Sequence, residues 1–456
     1  MSQNKAGFSY FKEVGKGALI GLAVLALLIG GFSIGGFSSP NAGGQTATPI
    51  ESASPSPSST ATRTCSVAEL AADTRLATLS AAVLNATTGE TLFDRNANTA
   101  ASTASTMKVI TSAAALLTLG PNYRAETRVY QDATDPGTII LVGGGDPTLS
   151  RLPVGKQSVY ADAPKLSTLA LNVNKKLAST PITNIIVDGS LFSGASWETT
   201  WERSELTKGY MSEVTALQVD GDRSNPQAET SKRSSKPVLN AGNYFKQALG
   251  ASASGATVTA GTMTEGAVQL ASVSSQPISK WINHMLQVSD NTEAEMLARL
   301  VALDQGYEGS FSSINAAFKQ ALKVTGLDTN SISIRDGSGL SDLNSVSPMF
   351  MAKLMQLVHQ GQGVFQNIRQ ALPVSGESGS LAERFKGDNI DAAGHVFAKT
   401  GWIKKGYTLA GIIQAKDSTP LVFAVYALGS VTPETKTAID NLVTGFYRCG
   451  DQLSNQ

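Results

Sequence analysis

The sequence predicts an α+β fold in which helices flank an antiparallel sheet. Strand-like runs lie near both ends of the chain, at residues 79–85 and 88–93 and again at 408–414 and 421–427. The section between them has mainly the apolar spacing of helices. We therefore expect a sheet that is closed by the terminal strands and covered by the helices between them.

The local patterns assign the elements in order along the chain. Thr88-Gly89 is a typical turn between the first two strands. A helix is predicted at 103–119, where apolar residues from Met107 to Leu117 share one face before Gly120-Pro121 ends it. The remaining patterns predict strands at 127–130, 138–142, 185–189 and 268–273, helices at 163–179, 240–250, 278–288, 291–303 and 433–447, and a long polar loop at 220–238.

The charge balance excludes one class of partner. Lys plus Arg and Asp plus Glu each number 36, so the formal net charge is zero. A nucleic-acid-binding protein would show a basic surplus or long basic runs, and we expect no nucleic-acid partner. The short cluster Lys232-Arg233 with Lys236 lies among serines and is predicted to be a solvated part of the polar loop.

The N-terminal segment predicts export. Lys5, Lys12 and Lys16 precede residues 17–37, which contain no charged residue and are long enough to cross a bilayer as a helix. The lysines favour a cytoplasmic N-terminus at 1–16 and an extracytoplasmic remainder. We expect a retained transmembrane anchor at 17–37, with a removable signal peptide as the alternative. Residues 38–64, rich in Ser, Thr, Ala, Pro and Gly, are expected to form a disordered linker.

The chain has two cysteines, Cys65 and Cys449, which bracket the region after the linker. In an exported protein this arrangement favours a disulfide that joins the two ends of the domain, and two unpaired buried thiols are the alternative. Two cysteines and three scattered histidines do not indicate a metal site. We expect neither a metal nor another cofactor.

The first candidate catalytic motif is Ser105-Thr106-Met107-Lys108. Serine and lysine three residues apart share one face of a helix, within hydrogen-bonding reach. A lysine whose pKa is lowered by burial or by neighbouring charges can act as the base for the serine hydroxyl. Alternatively, Ser105 only caps the helix. The pattern by itself is weak, because Ser2-Gln-Asn-Lys5 also matches it.

Two more motifs follow in the chain. Ser289-Asp290-Asn291 lies between two predicted helices, where Ser289 could relay a proton to the leaving amine and Asn291 could hold Lys108; the alternative is a helix N-cap. Lys399-Thr400-Gly401 precedes a predicted strand and could offer a cation and a hydroxyl to a carboxylate, or could be an exposed loop. Gly401 would let a substrate backbone approach closely.

The order and the spacing of the three motifs make the combination specific. Together they match the Ser-x-x-Lys, Ser-x-Asn and Lys-Thr-Gly set of penicillin-recognising serine enzymes. The chain resembles the class C low-molecular-mass penicillin-binding proteins, the D-alanyl-D-alanine carboxypeptidase/endopeptidase family, from about residue 75 to 445. Three other stretches carry the same resemblance: GDPTL at 145–149, DGSGLS at 336–341 with Asn344, and LPVSGESGSL at 372–381.

The resemblance implies a penicillin-binding (serine β-lactamase-like) transpeptidase fold and a serine peptidase. Ser105 would be acylated by the D-Ala-D-Ala end of a peptidoglycan stem peptide, release D-Ala and then be hydrolysed. Cleavage of D-Ala–meso-diaminopimelate cross-links is a further activity that it leaves open. β-Lactams would acylate the same serine. The backbone N–H groups of Ser105 and Trp402 are the expected oxyanion hole.

The chain departs from the family pattern in two places. The family usually carries a larger insertion with two accessory domains between the first two motifs, which are here separated by 184 residues, from position 105 to position 289. We therefore expect one reduced accessory domain at 136–274, inserted into a catalytic domain formed by 65–135 and 275–456. Trp402 also replaces the usual small hydroxyl residue that would help to bind a terminal carboxylate, so the balance between carboxypeptidase and endopeptidase stays open.

Two rival functions share part of the pattern. A class A β-lactamase would need a glutamate between the second and third motifs; Glu377 and Glu383 lie there, but without the expected Glu-x-x-Leu-Asn setting. A non-catalytic homologue that binds the cell wall would not need Ser105 and both motif lysines.

Overall fold

The computed structural model describes residues 63–178 and 180–455. The predictions for residues 1–16 and 17–37, and for nearly all of the linker at 38–64, fall outside these ranges. Within the described residues, no helix is both long enough and apolar enough to cross a membrane.

The elements agree with most of the predicted order. The helices are α1 (Ala68–Ala71), α2 (Met107–Thr118), α3 (Leu166–Leu177), α4 (Ser204–Lys208), α5 (Pro237–Leu249), α6 (Ile278–Val288), α7 (Asn291–Asp304), α8 (Phe311–Leu322), α9 (Pro348–Gln360), α10 (Phe365–Ala371) and α11 (Thr435–Cys449). The strands are β1 (Thr78–Asn85), β2 (Thr91–Arg95), β3 (Glu126–Gln131), β4 (Thr138–Val142), β5 (Asn184–Asp188), β6 (Thr257–Ala260), β7 (Val268–Ser274), β8 (Val396–Ile403), β9 (Gly406–Gln414) and β10 (Pro420–Leu428).

The first sheet joins the two ends of the chain, as predicted. Its strand order is β2-β1-β10-β9-β8, and every neighbouring pair is antiparallel. Strand β1 pairs with β10 along its whole length, from Thr78 opposite Leu428 to Asn85 opposite Leu421. Strand β8 lies at one edge: the outer side of residues 396–398 bonds to residues 373–375, and residues 400–403 line a cleft.

Both faces of this sheet are covered, which explains why β1 and β10 are almost continuously apolar. Ala82 and Leu84 point into a core with helices α2 and α6 to α10, whereas Ala81 and Val83 point into a second core with α11. Successive side chains of a strand alternate between the faces, so one strand supplies both cores. The predicted antiparallel sheet flanked by helices is confirmed.

A second sheet lies in the insertion between the first two motifs. Its order is β6-β5-β4-β3-β7; the pairs of β5 with β4 and β6 are parallel, and β3 pairs antiparallel with β4 and β7. Helices α3 and α5 pack against it around a separate apolar core. The insertion thus has the internal packing of an accessory domain.

The start of the inserted region differs from the prediction. A boundary at residue 136 separates β3 from β4, although these strands pair with each other. The turn around Pro136 is a hairpin within the second sheet and not a linker, because Thr138 N–H closes it on the Asp135 carbonyl. We therefore use "inserted region" for residues 126–274, from the start of β3 to the end of β7.

The polar loop is also less solvated than predicted. Arg223 and Arg233 are buried, whereas Lys232 and Lys236 are exposed. The prediction that the Lys232-Arg233 cluster is solvated is therefore wrong for Arg233. Its guanidinium turns inward and donates to the backbone carbonyl of Ser231, a partner that composition alone does not reveal.

The predicted disulfide is confirmed. Cys65 and Cys449 are bonded, with their Cα atoms 5.4 Å apart. Backbone hydrogen bonds link the same two ends, since Cys65 N–H donates to the Gln452 carbonyl and Ser454 N–H donates to the Cys65 carbonyl, both at 2.9 Å. The start and the end of the described chain are therefore held together by covalent and non-covalent contacts.

Candidate active site

The three motifs meet in one cleft of about 1220 Å³. Ser105, Ser289 and Asn291 line it together with Thr400, Gly401 and Trp402 of the edge strand β8. Residues 200–210 of the inserted region form part of another wall. No histidine lies among the described residues that line the cleft, so a base for Ser105 has to be another group.

Ser105 lies in a short turn at the start of α2. A 3₁₀ turn, Ala104–Thr106, runs directly into α2, and Ser105 is partly exposed while Lys108 is fully buried. The carbonyl of Thr103 accepts hydrogen bonds from the hydroxyls of Thr106 and Thr408, at 2.6 and 2.8 Å. These bonds fix the turn against strand β9.

Two glycines allow this turn to pack tightly. A Cβ atom on Gly401 would overlap the Thr408 hydroxyl and lie 2.8 Å from the Ser105 backbone nitrogen. A Cβ atom on Gly339 would overlap the carbonyl oxygen of Ala104, and Gly339 also has φ of +81°. Gly401 therefore leaves room for the turn that carries Ser105, which is a reason for glycine here in addition to the predicted approach of substrate.

The Lys108 ammonium group connects the first two motifs. Its Nζ atom donates to Ser105 Oγ at 3.1 Å, to Asn291 Oδ1 at 2.6 Å and to the Ser338 carbonyl at 2.7 Å. Asn291 is itself held by a bond from Nδ2 to the Tyr210 carbonyl at 3.1 Å. Lys108 is therefore oriented towards the serine by two partners, Asn291 and the Ser338 carbonyl, from distant parts of the chain.

Burial makes Lys108 a usable base. Loss of hydration lowers the pKa of Lys108 to about 8, although the negative charges of Asp336, Glu295 and Asp290 act in the opposite direction. A lysine with this pKa is roughly one-tenth neutral at pH 7, compared with a negligible fraction for an ordinary lysine. The neutral amine can accept the proton of the Ser105 hydroxyl.

The middle motif lies at the junction of α6 and α7, as predicted. Ser289 ends α6 with a left-handed φ of 65°. Asp290 is the N-cap of α7 and accepts a hydrogen bond from the Glu293 N–H at 2.9 Å. The two alternatives for this motif therefore do not exclude each other. Asp290 caps helix α7, whereas Ser289 and Asn291 are exposed to the cleft.

The third motif lies within strand β8 and not in a loop before a strand. Lys399 is buried, and its Nζ atom donates to Ser289 Oγ at 2.9 Å and to the Thr400 carbonyl at 2.7 Å. Burial first, and then the charge of Lys108, lower the pKa of Lys399 well below its usual range. A substrate carboxylate would stabilise its protonated form.

Several groups of the site had no predicted role. The Ser338 carbonyl accepts from Lys108, the Tyr210 carbonyl accepts from Asn291, and the Ser380 hydroxyl accepts from Thr400 Oγ1 at 2.8 Å. Ser338 and Ser380 belong to the stretches at 336–341 and 372–381 that support the family resemblance. That resemblance was the sequence signal from which their place in the site could have been predicted. Tyr210 contributes a backbone atom, for which the sequence offers no pattern.

The two glutamates considered for a β-lactamase are not buried at the site. Glu377 is exposed. Glu383 lies at the cleft rim, where its side chain is 86% exposed and pairs with Lys386. Neither has the buried setting that would favour a second general base.

Comparisons with known proteins agree with this geometry. The model of the D-Ala-D-Ala carboxypeptidase 3 (S13) family matches residues 64–235 and 223–446. A carboxypeptidase of Mycobacterium tuberculosis is 34% identical over 391 residues, covering 85% of this chain and 84% of that protein. Carboxypeptidase DacB of Mycolicibacterium smegmatis is 32% identical over 405 residues, covering 88% and 87% respectively.

Solved structures show the same fold. Penicillin-binding protein 4 of Haemophilus influenzae superposes with a TM-score of 0.69 at 21% identity, covering 81% of this chain and 96% of that chain. A structure of the same protein in complex with a β-lactam superposes with a TM-score of 0.65 at 20% identity and equal coverage.

Proposed function

The chain belongs to the D-Ala-D-Ala carboxypeptidase 3 (S13) family, and we propose that its cleft performs this serine peptidase reaction with Ser105 as the nucleophile. The observation that carries the assignment is the contact at 3.1 Å between Ser105 Oγ and Lys108 Nζ, a lysine whose pKa burial lowers. The substrate is the D-Ala-D-Ala end of a peptidoglycan stem peptide, and β-lactams act as inhibitors of the same site.

Acylation begins with proton transfer. Neutral Lys108 takes the proton of the Ser105 hydroxyl while Oγ attacks the carbonyl carbon of the penultimate D-Ala. The negative charge that develops on the carbonyl oxygen is stabilised by the backbone N–H groups of Ser105 and Trp402. The close packing of Gly401 against the Ser105 nitrogen brings these two segments together.

Collapse of the tetrahedral intermediate requires a proton on the leaving amine. Ser289 Oγ lies between Lys399 and the cleft, with Lys399 Nζ at 2.9 Å. Ser289 donates its proton to the amine of the leaving D-Ala and is reprotonated from the lysine network. The C–N bond breaks, an ester forms on Ser105, and water activated by Lys108 then hydrolyses that ester to the acid.

Mass spectrometry with a labelled penicillin tests the assignment directly. We expect one covalent adduct on a peptide that contains Ser105, together with release of D-Ala from a pentapeptide substrate. An adduct on another serine, or none, would contradict the proposal. Fast turnover of the β-lactam with a free enzyme as the end point would instead favour a β-lactamase.

Trp402 is proposed to weaken the binding of the free carboxylate beside the scissile bond. Its side chain is 58% exposed at the cleft, in the position where a hydroxyl would help to bind the carboxylate. Thr400, the neighbouring hydroxyl of the motif, is already bonded to Ser380. A D-Ala–diaminopimelate cross-link carries the same carboxylate on the D-centre of diaminopimelate, so the missing hydroxyl weakens the binding of both substrates.

Replacing Trp402 by serine is expected to raise kcat/KM for D-Ala release by about tenfold. One added hydrogen bond to a charged group contributes on the order of 1.5–3 kcal/mol, and 1.4 kcal/mol is a factor of ten. Chromatography of a pentapeptide and of a cross-linked dimer gives kcat/KM for both substrates. Trp402→Ala is the control, because it removes the indole without adding a hydroxyl; an equal change in both variants would refute the role of the hydroxyl.

The uncharged stretch at 17–37 is proposed to anchor the enzyme to the membrane, with the catalytic region on the extracytoplasmic side. The disulfide supports an oxidising, extracytoplasmic location. We expect the full chain to remain in the membrane fraction after a salt wash and a variant that lacks residues 17–37 to be absent from it. Recovery of the full chain in the soluble exported fraction would favour a cleaved signal peptide.

A further inference from the structure

Arg223 belongs to the inserted region, but its guanidinium is buried against the middle motif. Its Nη2 atom donates to Asp290 Oδ2 at 2.5 Å, and neither side chain is more than 2% exposed. Its Nη1 atom donates to the Tyr160 hydroxyl at 2.6 Å, and the guanidinium lies over the Tyr160 ring, 4.8 Å from the centroid. Two residues of the inserted region therefore enclose one carboxylate of the catalytic region.

Asp290 connects this pair to the reacting groups. One of its carboxylate oxygens accepts the N–H of Glu293 and the other accepts the Arg223 guanidinium, so neither oxygen is free to turn. The residues on both sides of Asp290 are Ser289, bonded to Lys399, and Asn291, bonded to Lys108. A displacement of Asp290 would thus move both contacts at once.

The surroundings of the pair are polar and filled. His284 contacts Glu293 Oε2 at 2.7 Å and Glu229 Oε1 at 3.2 Å. Burial opposes its protonation, but the charge of Glu293 and these contacts raise the pKa of His284 to about 11 overall. His284, Asp290 and Glu293 are near enough to one another for a metal ion, with ligand atoms within 4.8 Å, yet Arg223 and the protonated imidazole already supply the positive charge.

We propose that Arg223, held by Tyr160, is a positioning residue that fixes the Ser289-Asp290-Asn291 turn and balances the charge of Asp290, so that the inserted region controls acylation. This inference rests on the proposed function of Ser105 and Lys108. It goes beyond that function because it makes the acylation rate depend on Arg223 and Tyr160, two residues that do not line the cleft.

The geometry has an electrostatic consequence for Lys108. The charged groups that act on Lys108 or face it are Asp290 before α7, Glu295 in α7, Asp336 in the loop after α8, and Lys399 in β8. Without the guanidinium, the uncompensated Asp290 carboxylate would favour the protonated amine. Without the carboxylate, the buried guanidinium would favour the neutral amine. Below the pKa of Lys108 the acylation rate should fall as the pH falls, and we call this part of the pH profile the acid limb. Removing Arg223 should shift the midpoint of the acid limb to higher pH, and removing the Asp290 carboxylate should shift it to lower pH.

The test measures the acylation rate of the full chain by a fluorescent penicillin as a function of pH. Arg223→Gln is expected to raise the midpoint of the acid limb by at least about 0.5 pH unit and to lower the plateau rate about tenfold. Asp290→Asn is expected to lower the midpoint. The double variant should return it towards the wild-type value, and Arg223→Lys, which keeps the charge, should leave it unchanged.

Arg299→Lys is the control for the disturbance of another buried arginine, because it keeps the charge that acts on Glu295. Arg299 also ties α7 to the inserted region, through the carbonyls of Ser193 and Ala195, but the groups that it contacts do not include the middle motif. It should lower the melting temperature without moving the midpoint of the acid limb.

Wild-type midpoint and plateau in folded Arg223→Gln and Asp290→Asn would overturn the inference. If Arg223→Gln does not fold, Asp290→Asn decides, because an unshifted midpoint in that variant refutes the charge balance. Failure of the wild-type chain itself to form an adduct on Ser105 would instead refute the proposed function, so the two failures are distinguishable.

Discussion

Replacing Ser105 by alanine is expected to lower the rates of penicillin acylation and of D-Ala release by about 10⁴-fold or more. The variant lacks the oxygen that forms the acyl ester, and the remaining contacts of the cleft cannot supply another nucleophile. The measurements are the mass of the protein after incubation with a labelled penicillin and the D-Ala released from a pentapeptide. Retained activity would show that another residue is acylated.

The chain contains a matched control for this experiment. Ser2-Gln-Asn-Lys5 has the same spacing as Ser105-Thr106-Met107-Lys108. Ser2→Ala is expected to react like the wild-type protein. A melting temperature for Ser105→Ala near the wild-type value would show that the loss of activity is chemical, since Ser105 is partly exposed and its removal leaves only a small gap.

The pH dependence of acylation is expected to follow the deprotonation of Lys108. If the neutral amine is the base, as proposed, the rate should rise about tenfold per pH unit below pH 8 and level off above it, since burial lowers the pKa of Lys108 to about 8. An ordinary exposed lysine would place this limb above pH 10. Stopped-flow acylation between pH 5.5 and pH 9.5, checked for stability at each pH, measures the limb.

Lys108→Met is expected to lower the plateau rate by about 10²–10⁴-fold, because methionine has a similar length and cannot accept a proton. Lys404→Met is the control: Lys404 lies exposed at the rim of the same cleft and is expected to have little effect on the plateau. A pH limb that persists unchanged in Lys108→Met would assign the titrating group to another residue, with Lys399 as the first alternative.

The elements that the sequence predicted well are those with strong local patterns. The terminal strands β1, β9 and β10 and the helices α2, α6 and α7 lie where periodicity placed them, because each has a continuous apolar face to bury. The predicted start of the accessory domain at residue 136 differs from the structure because no strong local pattern marks it. A Pro-Gly turn has the same composition in a hairpin and in a linker, and only the pairing of β3 with β4 distinguishes them.

The loop at 220–238 shows the same limit for charged residues. Its composition predicts exposure, and Lys232 and Lys236 are exposed. Arg223 is instead buried against Asp290, a residue 67 positions later in the chain. A buried arginine needs partners for its charge and its N–H groups, but nothing in the local sequence identifies Asp290 as the partner of Arg223.

By itself, the sequence determined the chemical groups of the site: a serine and a lysine on one helix face, a serine and an asparagine between two helices, and a lysine-threonine-glycine segment that precedes a predicted strand. These follow from residue identity and short-range spacing. The tertiary structure alone decided that Lys108 loses its hydration, that Asn291 and the Ser338 carbonyl orient it, and that Arg223 supports the middle motif. Burial and charge compensation depend on the packing of segments that are distant in the chain, and local periodicity does not encode that packing.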